Sequence, residues 1–394
     1  MTNYNFTHRV QDVPNSGIGF MMRYASKYDD VVSLGQGTPL FPTPSFIYDE
    51  LYKKSKSDPT IGQYSSAKIE KELKNLIVKN IEKKYNFTPD LSEIYLTVGG
   101  IGGLFAALMA FVEKDDEVIY FDPSYPLHLS QIYLTQGKPV FVSLIEKKGW
   151  QIDLEKLEKS ITPKTKVIIL TNPNNPTGTV LSEQEVKKIA EIVLKHNLIL
   201  ILDEAYEFLT YEKKLFSPLK LPELRNNIVL CKSFSKEFAM TGWRIGYVYS
   251  HKEIVSKISN VHTYFAISPA TTSMIAVITA LSDPRGDKAM QEFKEKFTES
   301  RKAICERLDK LPKLFSYHKP DGAYYIFAKY LNFKMDSFEF AKKLIDEAKV
   351  ITIPGSTGGP SGEGHIRMSF AADTKLIHQA FDRIDRFAQK YGQK

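Results

Sequence analysis

The stretch KVIILTNPNNPTG (residues 166–178) places a short apolar, β-branched segment directly before a polar turn rich in proline. The same order recurs in LILILDEAY (198–206) and in NIVLCKSFSK (227–236). Short segments that are apolar throughout are typical of parallel strands covered on both faces. Since the carboxyl ends of parallel strands share one edge of a sheet, we expect the polar residues that follow them to meet in one crevice.

Further segments continue this pattern. Residues 117–121 (EVIYF) and 139–144 (PVFVSL) also predict buried strands. Amphipathic helices lie between the strands, for example residues 182–196, whose start resembles a capping box. Strands that alternate with helices predict an α/β fold with a large three-layer domain around a mainly parallel sheet.

The two ends of the chain have a different pattern. The C-terminal third predicts a long charged helix (288–310), strands (314–318, 323–329 and 365–370) and helices near 337–348 and before residue 390. These elements indicate a smaller α+β domain. The first 45 residues show Gly/Pro turns and little regular structure, as an arm would. We therefore expect an arm (1–45) that joins the small domain, a large domain (46–283) and a small C-terminal domain (284–394).

Composition excludes several classes of protein. The 394 residues are 43% hydrophobic and 25% charged, which is ordinary for a globular chain of two or three domains. The net charge of +7 is small for this length and not clustered, so we expect no nucleic-acid partner. The longest apolar run, residues 98–112, is too short to span a bilayer, and we expect no membrane partner.

The cysteines, the histidines and the short motifs exclude further classes of protein. Cys231 and Cys305 lie far apart and form no CxxC pair, and the N-terminus has no apolar segment of the kind found in signal peptides. A reducing compartment, the cytoplasm, is therefore expected. The eight histidines show no paired spacing, so we expect no metal site. The motifs GxGxxG, GxxxxGK[ST] and GxSxG are also absent, which lowers the support for dinucleotide and nucleotide triphosphate chemistry.

The residues at the strand ends suit one particular ligand. A lysine in a semi-buried site has a lowered pKa and becomes a nucleophilic amine, as Lys236 would. Ser233, Ser235 and Arg244 could hold a phosphate, and Asp203 could pair with a basic ring nitrogen. A phosphorylated aldehyde with a basic ring nitrogen satisfies all of them. This describes the electron-sink cofactor pyridoxal 5′-phosphate.

With these motifs in place, the sequence resembles the class I/II aminotransferases, the aspartate-aminotransferase-like branch of the fold-type I pyridoxal-phosphate enzymes. The resemblance runs from SLGQGTP (33–39) to HIRMSF (365–370). It is most specific in SFSKEFAMTGWRIGY (233–247), and NPNNPTG and DEAY support it in the same order along the chain. The resemblance implies a homodimer with shared active sites.

The resemblance implies roles for the cofactor site. Lys236 resembles the Schiff-base lysine, which also moves the substrate proton. Asp203 resembles the partner of the pyridine nitrogen, and Tyr206 and Asn175 resemble the hydrogen-bond partners of the phenolic oxygen. Ser233, Ser235 and Arg244 resemble phosphate ligands, helped by the backbone at Gly100 and Ile101. Tyr125 stands where the family stacks an aromatic ring on the cofactor.

Three further residues are expected to act on the substrate or across the dimer. Arg367 resembles the bidentate clamp for the substrate α-carboxylate, and Gly37 would offer a backbone N–H beside it. Tyr64, in GQY (62–64), matches a tyrosine that reaches the phosphate of the neighbouring subunit.

Departures from the family pattern bear on the substrate. Members specific for dicarboxylates place a second cation in the side-chain pocket, but residues 259–269 contain no Arg or Lys, and Ile101 stands where another version has lysine. An unpaired carboxylate in an apolar pocket is costly. The expected donor is therefore a neutral or aromatic L-amino acid, and the expected acceptor is 2-oxoglutarate, in a ping-pong reaction. Arg9, Arg23 or Lys68 would weaken this argument if one of them folded over the pocket.

Alternatives remain open from the sequence. One is an aspartate aminotransferase. Another is a carbon–sulfur β-lyase, which would use the same residues on the same cofactor. A third is a non-catalytic regulator on this fold, but such regulators carry an extra DNA-binding domain, and the segment before Gly35 is too short for a helix-turn-helix.

Overall fold

The computed structural model describes residues 4–14 and 16–392. The strands are β1 (Val32–Ser33), β2 (Ile94–Thr97), β3 (Glu117–Asp122), β4 (Lys138–Ser143), β5 (Thr165–Thr171), β6 (Ile199–Asp203), β7 (Ile228–Ser233), β8 (Gly246–Tyr249), β9 (Phe315–Tyr317), β10 (Tyr325–Tyr330), β11 (Val350–Ile351), β12 (Ile353–Pro354) and β13 (His365–Ser369). The helices are α1 (His8–Gln11), α2 (Gly17–Ala25), α3 (Ser45–Ser57), α4 (Ala67–Tyr85), α5 (Gly99–Phe111), α6 (Pro126–Leu134), α7 (Leu154–Lys159), α8 (Glu183–Lys195), α9 (Lys252–Ala266), α10 (Thr271–Ser282), α11 (Arg285–Leu308), α12 (Ser337–Lys343) and α13 (Thr374–Lys390). In this part of the chain, no helix combines the length and the apolar character needed to cross a membrane.

The large sheet has the strand order β2-β8-β7-β6-β5-β3-β4. Strands β3 to β7 pair in parallel, and β8 runs antiparallel to both of its neighbours. The prediction of a mainly parallel sheet is confirmed. Strands β2 and β8 were not predicted, because each has four residues, too few for a clear pattern.

Side chains on the two faces of this sheet enter two separate apolar cores. On one face Val167, Ile201 and Val229 pack against α5, α6 and α9. On the other face Leu200 and Leu230 pack with residues of α4, α7, α8 and α10. Helices on both faces of the sheet make the three layers that the strand composition predicted.

The start of α8 shows how local sequence places a helix beside its strand. The Ser182 side chain accepts a hydrogen bond from the Glu185 backbone N–H at 3.2 Å, and the Glu185 carboxylate accepts one from the Ser182 N–H at 2.9 Å. This is the capping box predicted from the sequence, and it satisfies N–H groups that the first helical turn leaves without a partner.

The C-terminal third forms a small antiparallel sheet of order β12-β13-β10-β9, and β1 pairs in parallel with β11. The expectation of little regular structure before residue 45 was wrong for α2. Met21 and Ala25 of this helix are buried in the core of the small sheet. Gly17 lies so close to that core that a Cβ would come within 2.1 Å of Thr357 Cγ2. Gly17, which serves this close approach, and Gly19 weaken the helical pattern of the segment.

Residues of α2 and β1 thus share an apolar core with α12, α13 and the small sheet. On this basis we propose the division into an arm (1–45), a large domain (46–283) and a small domain (284–394). The arm brings Ile18 of α2 to the edge of the cavity described next.

Candidate active site

A cavity of about 310 Å³ opens at the carboxyl edge of the large sheet, where β5, β6 and β7 end. The residues expected from the sequence that line it are Gly37, Gly100, Ile101, Tyr125, Asn175, Asp203, Tyr206, Ser233, Ser235, Lys236, Arg244 and Arg367. The polar residues that follow the three strands therefore share one crevice. Tyr64 does not line it.

Lys236 lies half-buried on the turn after β7. Its Nζ donates a hydrogen bond to the carbonyl oxygen of Gly37 at 2.7 Å. Burial lowers the pKa of Lys236 to about 8, and the nearby charges of Arg367 and Arg244 add to this effect, while Asp203 opposes it. The amine therefore loses its proton far more readily than an exposed lysine, as a nucleophile or a proton carrier must.

Asp203 ends β6 and points into the cavity with a histidine behind it. One carboxylate oxygen accepts a hydrogen bond from the Ala205 N–H at 3.1 Å, and the other lies 3.0 Å from His128 Nε2. The His128 side chain is buried on α6, and the tautomer protonated on Nε2 donates to Asp203. Both contacts hold the carboxylate in one orientation. A basic ring nitrogen in the cavity would meet an ordered acceptor.

Groups suited to an anion converge at the start of α5. The first N–H groups of a helix have no partner within it, and α5 begins at Gly99. The hydroxyls of Ser233 and Ser235 lie 2.9 Å apart beside this helix end. A Cβ on Gly99, whose φ is +67°, would lie 2.7 Å from Arg244 Nη2, so the guanidinium approaches the backbone closely here. This set of donors fits a phosphate group.

The cations of the cavity differ in exposure. Arg367 is 4% exposed, Lys236 is half-buried and Arg244 is exposed. Arg244 donates from Nη1 to the Thr241 carbonyl oxygen at 2.9 Å. It lies at the mouth of the cavity, where its charge is available to an anion without the cost of burying an unpaired ion.

Arg367 on β13 is held by neighbours from three parts of the chain. Its Nη1 donates to Asn175 Oδ1 at 3.1 Å and its Nη2 donates to the Gly35 carbonyl oxygen at 2.8 Å. Its guanidinium carbon lies 4.6 Å from the ring centre of Tyr325. Arg367 Nε has no hydrogen-bond partner among the described residues. A guanidinium fixed in this way presents a planar fork that suits a carboxylate.

Tyrosines form one wall of the cavity. The Tyr206 hydroxyl lies 2.9 Å from that of Tyr325, and burial raises the pKa of Tyr206 well above its usual value. Burial also raises the pKa of Tyr125. These hydroxyls keep their protons at neutral pH and can donate hydrogen bonds to a negatively charged oxygen.

Tyr64 lies apart from the cavity, between α3 and α4, and is 77% exposed. The Thr271 hydroxyl, at the start of α10, donates a hydrogen bond to the carbonyl oxygen of the preceding Gln63 at 2.6 Å. The loop is therefore held against the large domain while the Tyr64 ring projects outward.

Several residues of the cavity wall were not predicted from the sequence. They are Ile18, Thr38, Leu104, Leu127, His128, Thr171, Ala205, Thr241 and Tyr325. Thr241 lies within the segment 233–247, whose position at the site was already expected. Tyr325 falls in the predicted strand 323–329, but an apolar strand does not show which of its residues face a ligand. His128 follows the expected Tyr125 by less than one helical turn, which is the one signal that could have indicated it.

Comparison with known proteins agrees with this geometry. The sequence profile of the family "Aminotransferase class I and II" matches residues 29–384. An aspartate aminotransferase of Pyrococcus horikoshii is 33% identical over 97% of both chains. An aromatic-amino-acid aminotransferase of Thermococcus litoralis is 32% identical over 96% of this chain and 97% of its own.

Solved structures agree as well. The aspartate aminotransferase of Thermus thermophilus with maleate superposes with a TM-score of 0.91 at 27% identity, over 98% of this chain and all of the other. An aromatic aminotransferase of Pyrococcus horikoshii gives 0.88 at 30% identity, over 95% of this chain and all of the other. The chain belongs to the class I and II aminotransferases. It is an aminotransferase of the fold-type I group and depends on pyridoxal phosphate.

The residues present fit this cofactor. The helix start, the serine hydroxyls and Arg244 suit its phosphate, the Asp203 carboxylate suits its ring nitrogen, and the Lys236 amine suits its aldehyde. When bound, pyridoxal phosphate supplies the electron sink that withdraws charge from the substrate α-carbon.

The lowered pKa of Lys236 predicts how the protein takes up its cofactor. Covalent loading needs the amine without its proton, and half of the amine is free where pH equals the pKa. The rate of loading onto cofactor-free protein should therefore rise with pH, with a midpoint at about 8, and level off at higher pH. Stopped-flow absorbance at several pH values measures this midpoint.

The variant Arg367→Met tests whether nearby charge contributes to the lowered pKa of Lys236. It removes a charge that lowers the pKa of Lys236, so the midpoint should move to higher pH. A midpoint near that of an ordinary lysine in the unmodified protein would contradict the electrostatic account.

Proposed function

We propose that the protein transfers the amino group of a neutral or aromatic L-amino acid to a 2-oxo acid such as 2-oxoglutarate, in a ping-pong reaction. The observation that carries this proposal is the balance of charge in the cavity wall. Among the described residues the cations that line it are Lys236, Arg244 and Arg367, and each already has a proposed role.

The remaining wall is largely apolar. Ile18, Ile101, Leu104 and Leu127 line the cavity. None of Arg9, Arg23 and Lys68, the cations that could have altered the argument, is among the lining residues. A side-chain carboxylate placed here would lose its hydration without gaining a counter-ion. Neutral and aromatic side chains gain from the same burial.

A 2-oxoglutarate acceptor also carries a second carboxylate. The hydroxyls of Thr38 and Thr241 line the cavity, and Thr38 is exposed. These hydroxyls and water at the mouth could bind that carboxylate through hydrogen bonds, without a buried ion pair.

In this proposal each residue acts on a defined part of the cofactor or the substrate. Lys236 would hold the cofactor through its amine, and once the substrate amine has displaced it, the freed Nζ takes the proton from the substrate α-carbon and returns it during transfer. Asp203, oriented by His128, keeps a proton on the ring nitrogen. Arg367 holds the α-carboxylate, with the Gly37 N–H beside it, and so aims the α-proton at Lys236.

A lysine substitution tests the assignment of Lys236. Lys236→Ala should lose more than about a thousandfold in kcat, because both the covalent attachment and the proton carrier are removed. Borohydride should fix the cofactor on the peptide that contains residue 236 of the unmodified protein, as seen by mass spectrometry.

The exposed Lys148 offers a matched control for this test. Lys148→Ala should keep both the activity and the label. Amino transfer at the normal rate by Lys236→Ala would refute the assignment.

An aspartate aminotransferase is the second candidate, since several relatives carry that name. The ratio of kcat/KM for phenylalanine to that for aspartate decides between them, and we expect phenylalanine to be favoured. Ile101→Lys should shift this ratio toward aspartate by about tenfold, because it adds a cation to the apolar wall. Ile101→Met controls for shape. Faster turnover of aspartate by the unmodified enzyme would rule out the proposed preference.

We further propose a homodimer in which Tyr64 reaches the phosphate site of the partner subunit. Its exposed ring and its anchored loop support this idea. Tyr64→Phe should weaken cofactor affinity by about tenfold through loss of one hydrogen bond to a charged group. Tyr52→Phe, at another exposed tyrosine, is the control. Equilibrium dialysis measures the affinity, and unchanged binding in Tyr64→Phe would argue against a shared site.

The cytoplasm is the proposed place of action. Cys231 and Cys305 are both free and buried, which suits a reducing compartment.

A further inference from the structure

A group of buried charges lies behind the cavity, on the opposite face of the large sheet. This buried charge cluster consists of Lys232, Glu204, Glu207 and Glu237. None of its members lines the cavity. Ionic groups are costly to bury, so a cluster at this position calls for an explanation.

Lys232 is the centre of the cluster. Its side chain is 2% exposed. Its Nζ lies 2.9 Å from Glu207 Oε1 and 3.2 Å from Glu237 Oε1, and it donates a hydrogen bond to the Glu204 carbonyl oxygen at 3.0 Å. The contact with the Glu204 carbonyl oxygen is a hydrogen bond, and the contacts with Glu207 and Glu237 are buried ion pairs.

The partners of Lys232 share one feature of sequence. Glu204 directly follows Asp203, Glu207 directly follows Tyr206, and Glu237 directly follows Lys236. Lys232 itself directly precedes Ser233. Neighbouring residues of a strand point to opposite faces of the sheet. At the end of β7, Ser233 therefore enters the cavity and Lys232 enters the buried charge cluster. One buried ammonium is thus tied to both loops that carry the proposed cofactor residues.

Other groups complete the cluster from α4. The Tyr85 hydroxyl donates to Glu204 Oε2 at 2.9 Å and also contacts Glu207. Lys84 contacts Glu207 and lies 3.6 Å from Glu237 Oε1. Burial and the charge of Glu207 raise the pKa of Glu204 to about 7, whereas Lys232 and Lys84 hold the pKa of Glu207 below its usual value. When Glu204 is protonated, the two lysines balance the two remaining carboxylates.

We propose that Lys232 is a positioning residue for the aminotransferase site, which holds the Asp203–Tyr206 loop and the Ser235–Lys236 turn at a fixed distance through its contacts with Glu204, Glu207 and Glu237. The inference rests on the roles proposed above for Asp203, Tyr206 and Lys236. Small displacements of reacting groups have large effects on rate, so the benefit of the tie appears in turnover.

Two variants of the holoenzyme test this role. Lys232→Arg keeps the positive charge, but its planar guanidinium cannot contact the same three oxygen atoms as the compact ammonium. The double variant Lys232→Met/Glu237→Gln removes one positive and one negative charge, so the charges of Lys84 and Glu207 still balance each other. Both should lower kcat by about tenfold or more, with the KM of the best amino donor changed less than about threefold. The pH midpoint of the bound cofactor's absorbance change should move by about 0.5 unit or more.

Lys84→Arg is the matched control. Lys84 contacts the same carboxylates from the outer side and makes no contact with the Glu204 carbonyl oxygen. It should keep kcat within about twofold and leave the midpoint unchanged. Thermal melting of each variant reports whether the fold is retained.

Each possible result either supports or overturns the positioning role of Lys232. A folded Lys232 variant with normal kcat and an unshifted midpoint overturns the proposal. Loss of the fold in both Lys232 variants also overturns it, since the cluster would then serve folding alone. The unmodified enzyme, assayed in parallel, separates this inference from the proposed function. Failure of the unmodified enzyme to transfer amino groups contradicts the function, whereas unaffected variants contradict only the role of Lys232.

Discussion

The parallel pairing of β5, β6 and β7 is the constraint on which the site depends. In this register Thr171 lies opposite Asp203, and Asp203 lies opposite Cys231. Strands β5 and β6 therefore end at one level and β7 ends two residues further on, so the turns that follow them meet above the same edge of the sheet. The apolar residues of these strands are buried on both faces, so a shift of register would disrupt the packing of both cores and draw the polar residues at the strand ends toward them. The packing of the core thereby fixes the positions of residues that take no part in it.

Charge then determines what the cavity can do. The guanidinium groups of Arg367 and Arg244 act with burial to lower the pKa of Lys236. The Asp203 carboxylate, ordered by His128, supplies the opposite charge in the same cavity. A nucleophilic amine and an ordered anion thus share a space that is also lined by groups suited to a phosphate and to a carboxylate. The same loops continue into the buried charge cluster, which is how the fold could hold these groups at a fixed spacing.

The features that the sequence predicted are those with a strong local signal. Uniformly apolar segments revealed β5, β6 and β7, and the Ser182 and Glu185 pair revealed the start of α8. Features that depend on distant contacts were missed. Helix α2 acquires its burial from the small sheet, and Tyr325 reaches the cavity only because β10 pairs with β13. Nothing in the local sequence shows which residues a helix will meet across a core.

A single turnover in the absence of an acceptor tests the central claim most directly. Holoenzyme mixed with excess L-phenylalanine should release one equivalent of 2-oxo acid per active site and then stop, because the amino group stays on the enzyme. No free ammonia should appear, and adding 2-oxoglutarate should restart the reaction. Continued release of ammonia from an amino acid such as cystathionine, with no acceptor present, would show elimination in place of transfer and would contradict the account.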